Sequence, residues 1–211
     1  AFAIIDEIEF KISDKTIVVD NVLETLQQLA NYHRLQLRIP IIALTGSNGK
    51  TTTKELINTV LSEKYTTTAT LGNLNNHIGV PLTLLSMTPN TEIGIVEMGA
   101  NHQKEIEFLC TIAAPDFGYI TNFGKAHLEG FGGIEGVIKG KSELYAFLQE
   151  HHKVAFINPK DPIQVEKTRE LTKICFPEYL KFLGADPFVK IASEDGEIES
   201  NLIGAYNYTN I

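Results

Sequence analysis

One run of this sequence, from residue 41 to residue 54, joins an apolar segment to a glycine-bearing turn and then to a polar segment. The run reads IIALTGSNGKTTTK. Its β-branched start predicts a buried strand, and Lys50-Thr51 opens a predicted helix. Turn amides and a helix N-terminus bind phosphate oxygens, a lysine reaches across them, and a threonine hydroxyl can hold Mg²⁺. The run therefore predicts a nucleoside triphosphate site.

The spacing Gly46-x-x-Gly49-Lys50-Thr51 is shorter than the general phosphate-loop pattern, whose first glycine would fall at Leu44. An ordinary glycine-rich turn between a strand and a helix is the alternative interpretation. Because strand, Gly-Lys-Thr and helix follow one another in the required order, the phosphate site is favoured.

The charge balance restricts the kinds of partner. The 211 residues carry 18 Lys and Arg against 26 Asp and Glu, a formal charge of −8. No segment is dense in basic residues, so a nucleic-acid surface is not expected. No apolar run approaches the length that spans a membrane. Cys110 and Cys175 lie in apolar surroundings without ligand spacing, which predicts buried free thiols and a cytoplasmic protein.

Strand and helix patterns alternate along most of the chain. This alternation predicts an α/β fold with a mainly parallel sheet flanked by helices. A strand is predicted over residues 4–12, and helices over 20–35 and 162–171. The phosphate loop, Glu97 and Asn122 each follow a strand, so they should meet at the carboxyl edge of the sheet. From Leu180 on, short strands predict a small antiparallel addition.

Four further segments could carry chemistry. Residues 72–81 are rich in asparagine and could hold a polar ligand or form a surface loop. Glu97 ends a buried strand beside the phosphate loop, where its carboxylate suits Mg²⁺. His127 lies in a glycine-flanked loop, and on its own a structural role is favoured. Lys139 and Lys141 are predicted at the start of a helix, where lysines are usually solvated. Because the helix dipole disfavours cations there, a nearby anion is the alternative that would stabilise them.

Several motifs in register resemble the Mur ligases of peptidoglycan synthesis. They are TGSNGKT at 45–51, NNHIGVPLTL at 75–84, EMGANH at 97–102 and AHLEGF at 126–131. The resemblance runs from Pro40 to the last residue. It is strongest toward the members that add D-Ala-D-Ala to UDP-N-acetylmuramoyl-tripeptide, because of the asparagine-rich segment and residues 126–131.

The resemblance implies an ATP-dependent ligase that forms an amide through an acyl phosphate. Residues implied to hold ATP phosphates are Gly46, Ser47, Asn48, Gly49, Lys50, Thr51 and Thr52. Residues implied to hold one or two Mg²⁺ ions are Thr51, Glu97, His127 and Lys141, the last as a carbamylated lysine. Lys50, Lys141 and His127 are implied to act in catalysis, and Asn75, Asn76, Asn101 and His102 to contact substrate. Lys139 is the other candidate for the carbamylated lysine of the family, but the register of the following Ser-Glu-Leu favours Lys141.

Two positions depart from the family pattern. In the terminal segment Asn207 and Asn210 match the asparagines that lie at the adenine, whereas Tyr206 replaces a histidine. Lys104 stands where many members have glycine. We therefore expect adenine recognition by these asparagines, with details that differ from those of the family.

The resemblance also implies a domain organisation. Residues 1–38 correspond to the close of a domain that binds the uridine nucleotide, and residues 39–211 to the central ATP-binding domain. The third domain would follow, so we expect this chain alone to bind Mg-ATP weakly and not to turn over. We also expect a monomer. Alternatives are another ligase of the superfamily, tripeptide-forming or folylpolyglutamate-forming, or a nucleotide-dependent switch or binding module without ligase chemistry. A guanine-reading Asn-Lys-x-Asp segment is absent from the sequence.

Overall fold

The computed structural model describes residues 2–176 and 179–211. The strands are β1 (Ala3–Ile5), β2 (Thr16–Val18), β3 (Ile41–Thr45), β4 (Thr67–Ala69), β5 (Ile93–Glu97), β6 (Phe117–Ile120), β7 (Val154–Ile157), β8 (Thr172–Cys175), β9 (Lys181–Ala185), β10 (Phe188–Ser193) and β11 (Gly196–Ile203). The helices are α1 (Val22–Leu37), α2 (Lys50–Ser62), α3 (Gly79–Ser86), α4 (Glu105–Ala113), α5 (Leu128–Phe131), α6 (Ile134–Glu150) and α7 (Pro162–Lys167), with 3₁₀ turns at Ile8–Phe10 and Ala205–Asn210.

The main sheet has the strand order β4-β5-β3-β6-β7-β8. Every pairing in it is parallel, with Ala43 of β3 opposite Val96 of β5 and Gly118 of β6. Helices between the strands cover it, which is why its central strands are apolar throughout rather than alternating. The predicted parallel sheet flanked by helices is confirmed. Because β5 and β6 border β3, the segments that follow all three strands lie side by side.

The long helix α1 is tied to the amino edge of this sheet by polar contacts. Asn21 caps it, its side chain accepting from the Glu24 amide at 2.9 Å. Arg34 is buried and donates to the Ala113 carbonyl at 3.0 Å and to the Asp116 carboxylate at 2.6 Å. The helix ends at Leu37, and the C-cap residue Arg38 has a left-handed φ of 54°. The helix predicted over residues 20–35 is confirmed, with bounds that are shifted by two residues at each end.

The predicted strand over residues 4–12 is wrong beyond its beginning. Only Ala3–Ile5 is extended there, and it pairs in parallel with Thr16–Val18. A parallel partner so near in sequence forces the intervening chain to return to its starting edge, so the strand cannot continue to residue 12. Ile12 is 90% exposed as a result.

The predicted helix over residues 162–171 is also too long. The Asp161 side chain accepts from the amides of Ile163 and Gln164, which starts α7. The Thr168 hydroxyl donates to the Gln164 carbonyl at 2.8 Å, and the helix stops at Lys167. Such a hydroxyl-to-backbone bond competes with the next helical turn.

Helix α3 is absent from the sequence-based expectations because Pro81 and the asparagines before it indicated a loop. The Asn76 side-chain oxygen accepts from the amides of Ile78 and Gly79, at 3.0 and 2.9 Å, and so opens the helix. Pro81 lies in the first turn, where a missing amide breaks no helical hydrogen bond. An apolar run after an asparagine cap was the available signal.

The small antiparallel sheet predicted after Leu180 is confirmed, with the order β11-β10-β9. Cys110 is buried as expected, but Cys175 is exposed at the end of edge strand β8, which corrects the expectation that both thiols are buried. Within the described residues, no helix combines the length and apolar character needed to cross a bilayer.

Candidate functional site

The phosphate loop between β3 and α2 is fastened to the segment that follows β6. The Ser47 amide donates to the Asn122 carbonyl at 3.0 Å, and the Ser47 hydroxyl to the Gly124 carbonyl at 2.7 Å. The Asn48 amide donates to Oδ1 of Asn122 at 3.2 Å. These bonds fix the loop in shape before any ligand binds, which lowers the entropy cost of binding.

Two glycines allow the loop to approach its neighbours closely. Gly46 has a φ of +145°, and a Cβ built there would lie 1.9 Å from the Thr121 hydroxyl oxygen. Gly49 has a φ of +78°, and a Cβ there would lie 2.2 Å from Oδ1 of Asn210. Backbone angle and space both favour glycine at each position.

Lys50 opens α2, and its side chain folds back over the loop. Its Nζ donates to the Gly46 carbonyl at 2.8 Å and to the Ser47 carbonyl at 3.4 Å. Burial lowers the pKa of Lys50, and the nearby Glu97 carboxylate opposes that shift. The ammonium is therefore held at the loop by two backbone carbonyls, which are neutral partners, and an anion bound at the loop would be a stronger one.

Glu97 lies at the carboxyl end of β5 and is 1% exposed. Its Oε1 accepts from Nδ2 of Asn75 at 2.8 Å, whereas no hydrogen-bond partner of the buried Oε2 lies within the described residues. An unpartnered buried carboxylate oxygen carries a desolvation cost that a cation would remove. Beside a phosphate loop, this oxygen fits the hard-ligand chemistry of Mg²⁺.

A cavity of about 510 Å³ opens beside the loop. It brings together Lys50, Asn75, Asn76, Asn101 and His127 from four separate segments of sequence. Asn73, His77, Gly99, Ala100, Glu105, Phe108 and Leu109 complete the lining. The predicted substrate and catalytic residues thus converge on one space, with the exceptions of His102 and Lys141, which are not among the lining residues.

His102 points instead toward Glu105, its Nδ1 lying 3.4 Å from Oε1 of that carboxylate. Glu105 also accepts from the backbone amides of Asn101 and His102, at 2.6 and 3.1 Å. These amide hydrogen bonds lower the pKa of the Glu105 carboxyl against the opposing effect of burial. Sequence analysis missed Glu105, although an acid in the first turn of a helix is a recognisable capping signal.

Lys141 is the buried lysine of α6, whereas Lys139 is exposed. Its Nζ lies 5.3 Å from the centroid of the Phe131 ring. Burial first, and then the charge of Lys50, lowers the pKa of Lys141 to about 8. A buried amine with a lowered pKa spends part of its time neutral near physiological pH, which is the reactive form of a lysine.

The remaining predicted metal residues are at the surface of this region. Thr51 is exposed in the first turn of α2. His127 is exposed too, with a left-handed φ of 53°. Across the parts of the chain that the structure describes, no group of three or more His, Cys, Asp or Glu could hold a metal. The predicted set has only Glu97 and His127 of those types.

The terminal 3₁₀ turn reaches the phosphate loop. Asn210 lies against Gly49, and its Nδ2 donates to Oδ1 of Asn207 at 2.8 Å. Asn207 is buried and donates to the Ile203 carbonyl at 2.9 Å. Tyr206, by contrast, is 75% exposed. The two asparagines therefore form one bonded unit beside the loop, and the tyrosine stays outside it.

Lys104, which replaces a glycine of the family pattern, has a left-handed φ of +72° just before α4. Only glycine adopts this conformation without steric cost, which gives the family preference a physical reason. The helix still begins at Glu105, because the Glu143 carboxylate accepts from the amides of Lys104 and Glu107 at 2.7 and 3.0 Å.

Comparison with known proteins places this geometry in a family. Residues 44–211 match the family described as Mur ligase middle domain. The UDP-N-acetylmuramoyl-tripeptide–D-alanyl-D-alanine ligase of Bacillus subtilis is 44% identical over 148 residues, covering 70% of this chain and 32% of that protein.

Two solved structures have the same fold. The MurF ligase of Thermotoga maritima in complex with ADP superposes with a TM-score of 0.83 at 31% identity, covering 100% of this chain and 52% of that one. MurF from Acinetobacter baumannii gives 0.82 at 32% identity, covering 99% and 48%. The chain spans about half the length of these structures and about a third of the curated relative. It therefore belongs to the Mur ligase family, whose middle domain it carries in residues 44–211.

Proposed function

We propose that this chain is the nucleotide-binding part of an ATP-dependent ligase that adds D-Ala-D-Ala to UDP-N-acetylmuramoyl-tripeptide. The observation that carries the proposal is the placing of Lys50 and the unpartnered Glu97 oxygen beside one preshaped phosphate loop. The identity of 44% to a relative of that name supports the choice of substrates.

The loop residues have the chemistry that phosphates require. Amides of residues 46–52 and the Lys50 ammonium bind the phosphate oxygens of ATP. Thr51 and Glu97 would hold one Mg²⁺, and His127 with a carbamylated Lys141 a second. Bound Mg²⁺ neutralises the charge of the transferring phosphoryl group. Carbamylation would turn the Lys141 ammonium into a carboxylate-like ligand, and its lowered pKa favours that change.

The proposed reaction has two steps. A carboxylate oxygen of the tripeptide attacks the γ-phosphorus of ATP, and ADP leaves, which gives an acyl phosphate. The amine of D-Ala-D-Ala then attacks the acyl carbon, and the amide forms as phosphate leaves and the amine loses a proton. This chain contributes positioning and charge: Lys50 holds the phosphoryl oxygens, while Asn75, Asn76, Asn101 and His102 orient the substrate.

The base of ATP belongs beside the terminal turn in this proposal. Asn207 and Asn210 offer amide donors and acceptors next to the loop, which suits an adenine edge. Residues 1–38 would close a domain for the uridine nucleotide, and residues 39–211 would form the ATP-binding domain. A cytoplasmic monomer without nucleic-acid or membrane partners remains the expectation.

Phosphate release tests the proposal. The protein that contains this chain is assayed with Mg-ATP, UDP-N-acetylmuramoyl-tripeptide and D-Ala-D-Ala, together and with each peptide substrate omitted. We expect release that requires both peptide substrates and is lost in Lys50→Ala. Release that needs folate and glutamate, or another amino acid, would favour a different superfamily ligase. Hydrolysis of ATP that is indifferent to all of them would favour a nucleotide-dependent switch.

A further inference from the structure

The residue that follows edge strand β4, Thr70, holds the backbone of Glu97 with its side chain. The Glu97 amide donates to Oγ1 of Thr70 at 3.0 Å, where a parallel ladder would normally supply a backbone carbonyl. Thr70 is 1% exposed. Its own amide donates to the Ile95 carbonyl at 2.9 Å, so both ends of this contact are fixed by the sheet.

The backbone carbonyl of Thr70 is thereby left for another donor, and the donor is a buried lysine. Lys54 is 0% exposed, and its Nζ donates to that carbonyl at 2.6 Å. Lys54 lies one helical turn after Lys50 on α2. Buried lysines are uncommon and are retained where their ammonium has a specific partner. The contact joins the phosphate-loop helix to the strand end that carries Glu97.

The opposite side of Glu97 is held by Asn75, which donates to Oε1. The Thr70 hydroxyl oxygen also lies 3.5 Å from that of Thr83, on α3. The free Oε2 of Glu97 is therefore aimed by a chain of contacts that begins on the same helix as Lys50 and Thr51. A shift of Thr70 would move this oxygen relative to the loop.

We infer that Thr70, anchored by Lys54, is a positioning residue that sets the Glu97 carboxylate at the distance from the phosphate loop that a loop-bound Mg²⁺ requires. This inference rests on the proposed function, since it presupposes that Glu97 binds the metal of a bound nucleotide. Neither Thr70 nor Lys54 is among the residues that line the cavity.

The test compares ADP affinity in excess Mg²⁺ with ADP affinity in EDTA, by calorimetry, for this chain. The dissociation constant in EDTA divided by the dissociation constant in excess Mg²⁺ isolates the contribution of the metal. Thr70→Val keeps the branched shape but removes the hydroxyl, and Thr70→Ser keeps the hydroxyl. We expect Thr70→Val to reduce the ratio about tenfold, the equivalent of one lost hydrogen bond, while affinity in EDTA changes little. Thr70→Ser should keep the wild-type ratio.

Equal ratios in Thr70→Val and wild type would overturn the inference while leaving nucleotide binding intact. If Thr70→Val lost equal ADP affinity in Mg²⁺ and in EDTA, the inference would also be overturned, because the loss would indicate a general structural role. If wild type binds no ADP in either condition, the proposed function fails and the inference with it. Should Thr70→Val not fold, Thr70→Cys, with a poor acceptor of similar size, carries the same comparison, and a wild-type ratio there would overturn the inference.

Discussion

Asn75 donates from Nδ2 to Oε1 of Glu97 at 2.8 Å, and within the described residues this is the one hydrogen bond to the Glu97 carboxylate, on a residue that is 1% exposed. The Asn75 carbonyl also accepts from the Gly99 amide at 2.7 Å. The asparagine-rich segment and the end of β5 are thus joined at the wall of the cavity. Asn75 therefore lies between the proposed substrate residues and Glu97, the proposed metal ligand.

Asn75→Ala should lower the free energy of unfolding by about 1.5–3 kcal/mol, because it leaves a buried carboxylate oxygen without its donor. Urea unfolding followed by circular dichroism measures the change. Asn73→Ala, an exposed position in the same segment, is the matched control and should change stability by less than about 0.5 kcal/mol. Equal effects of the two substitutions would contradict the assigned bond.

Lys141 should make stability depend on pH. Its folded pKa of about 8 lies below the ordinary value of 10.5, so between these values the unfolded chain binds more protons than the folded chain. The free energy of unfolding therefore rises with pH between about 8 and 10.5. Below that window the ammonium stays charged in the folded chain, and the full cost of burying it is present. That cost, for a pKa lowered from 10.5 to about 8, is roughly 3 kcal/mol.

Lys141→Met removes the buried charge at similar volume. We expect it to be more stable than wild type at pH 7, with the difference shrinking toward pH 10, in urea titrations at a series of pH values. Lys139→Met, at the exposed lysine two residues away, should follow the wild-type profile. If Lys141→Met followed the wild-type profile, the ammonium of Lys141 in wild type would not be held in a desolvated environment.

Carbamylation of Lys141 can be observed directly. Carbon dioxide adds to a neutral amine, forming an N–C bond and releasing a proton, and at pH 8 about half of a lysine with a pKa near 8 is neutral. In ¹³C-labelled bicarbonate we expect a carbamate ¹³C resonance for wild type and Lys139→Met. Lys141→Met should lack it. A resonance that survives in Lys141→Met and disappears in Lys139→Met would assign the modification to the other lysine.

Gly46→Ala should destabilise the chain by about 2–4 kcal/mol, since a Cβ at 1.9 Å from the Thr121 hydroxyl oxygen must displace the loop. Gly72→Ala is the matched control. It also has a positive φ, of +54°, but nothing lies within 4 Å of its Cβ position, so only backbone strain of about 1 kcal/mol is expected. Similar losses in the two variants would show that Gly46 is chosen for its φ alone.

The local parts of the site are predictable from sequence because they depend on neighbouring residues. The strand, turn and helix around Lys50 form a continuous pattern, and Glu97 ends an apolar strand; the structure has both where the sequence predicts them. The parallel pairing of the sheet is predictable from the alternation of strands and helices along the chain. These features need no knowledge of distant contacts.

The partners of those residues are not predictable in the same way. The bond from Asn75 to Glu97 spans 22 residues, and the bond from Lys54 to the Thr70 carbonyl links a helix to an edge strand. Sequence spacing does not fix such pairings, which depend on how helices settle on the sheet. The burial of Lys141 likewise follows from the packing of α6 over Phe131. The expectation that Lys139 and Lys141 open a helix is wrong, because α6 begins at Ile134 and both lysines lie inside it.

The most direct measurement is a calorimetric titration of this chain with Mg-ATP and with Mg-GTP, in wild type and Lys50→Ala. Lys160→Ala, at an exposed lysine outside the site, is the control. We predict saturable binding that favours ATP and weakens about ten- to a hundredfold in Lys50→Ala, as the loss of charge-assisted bonds to phosphate requires. Undiminished binding in Lys50→Ala, or an equal affinity for GTP, would contradict a phosphate loop and adenine site at these residues.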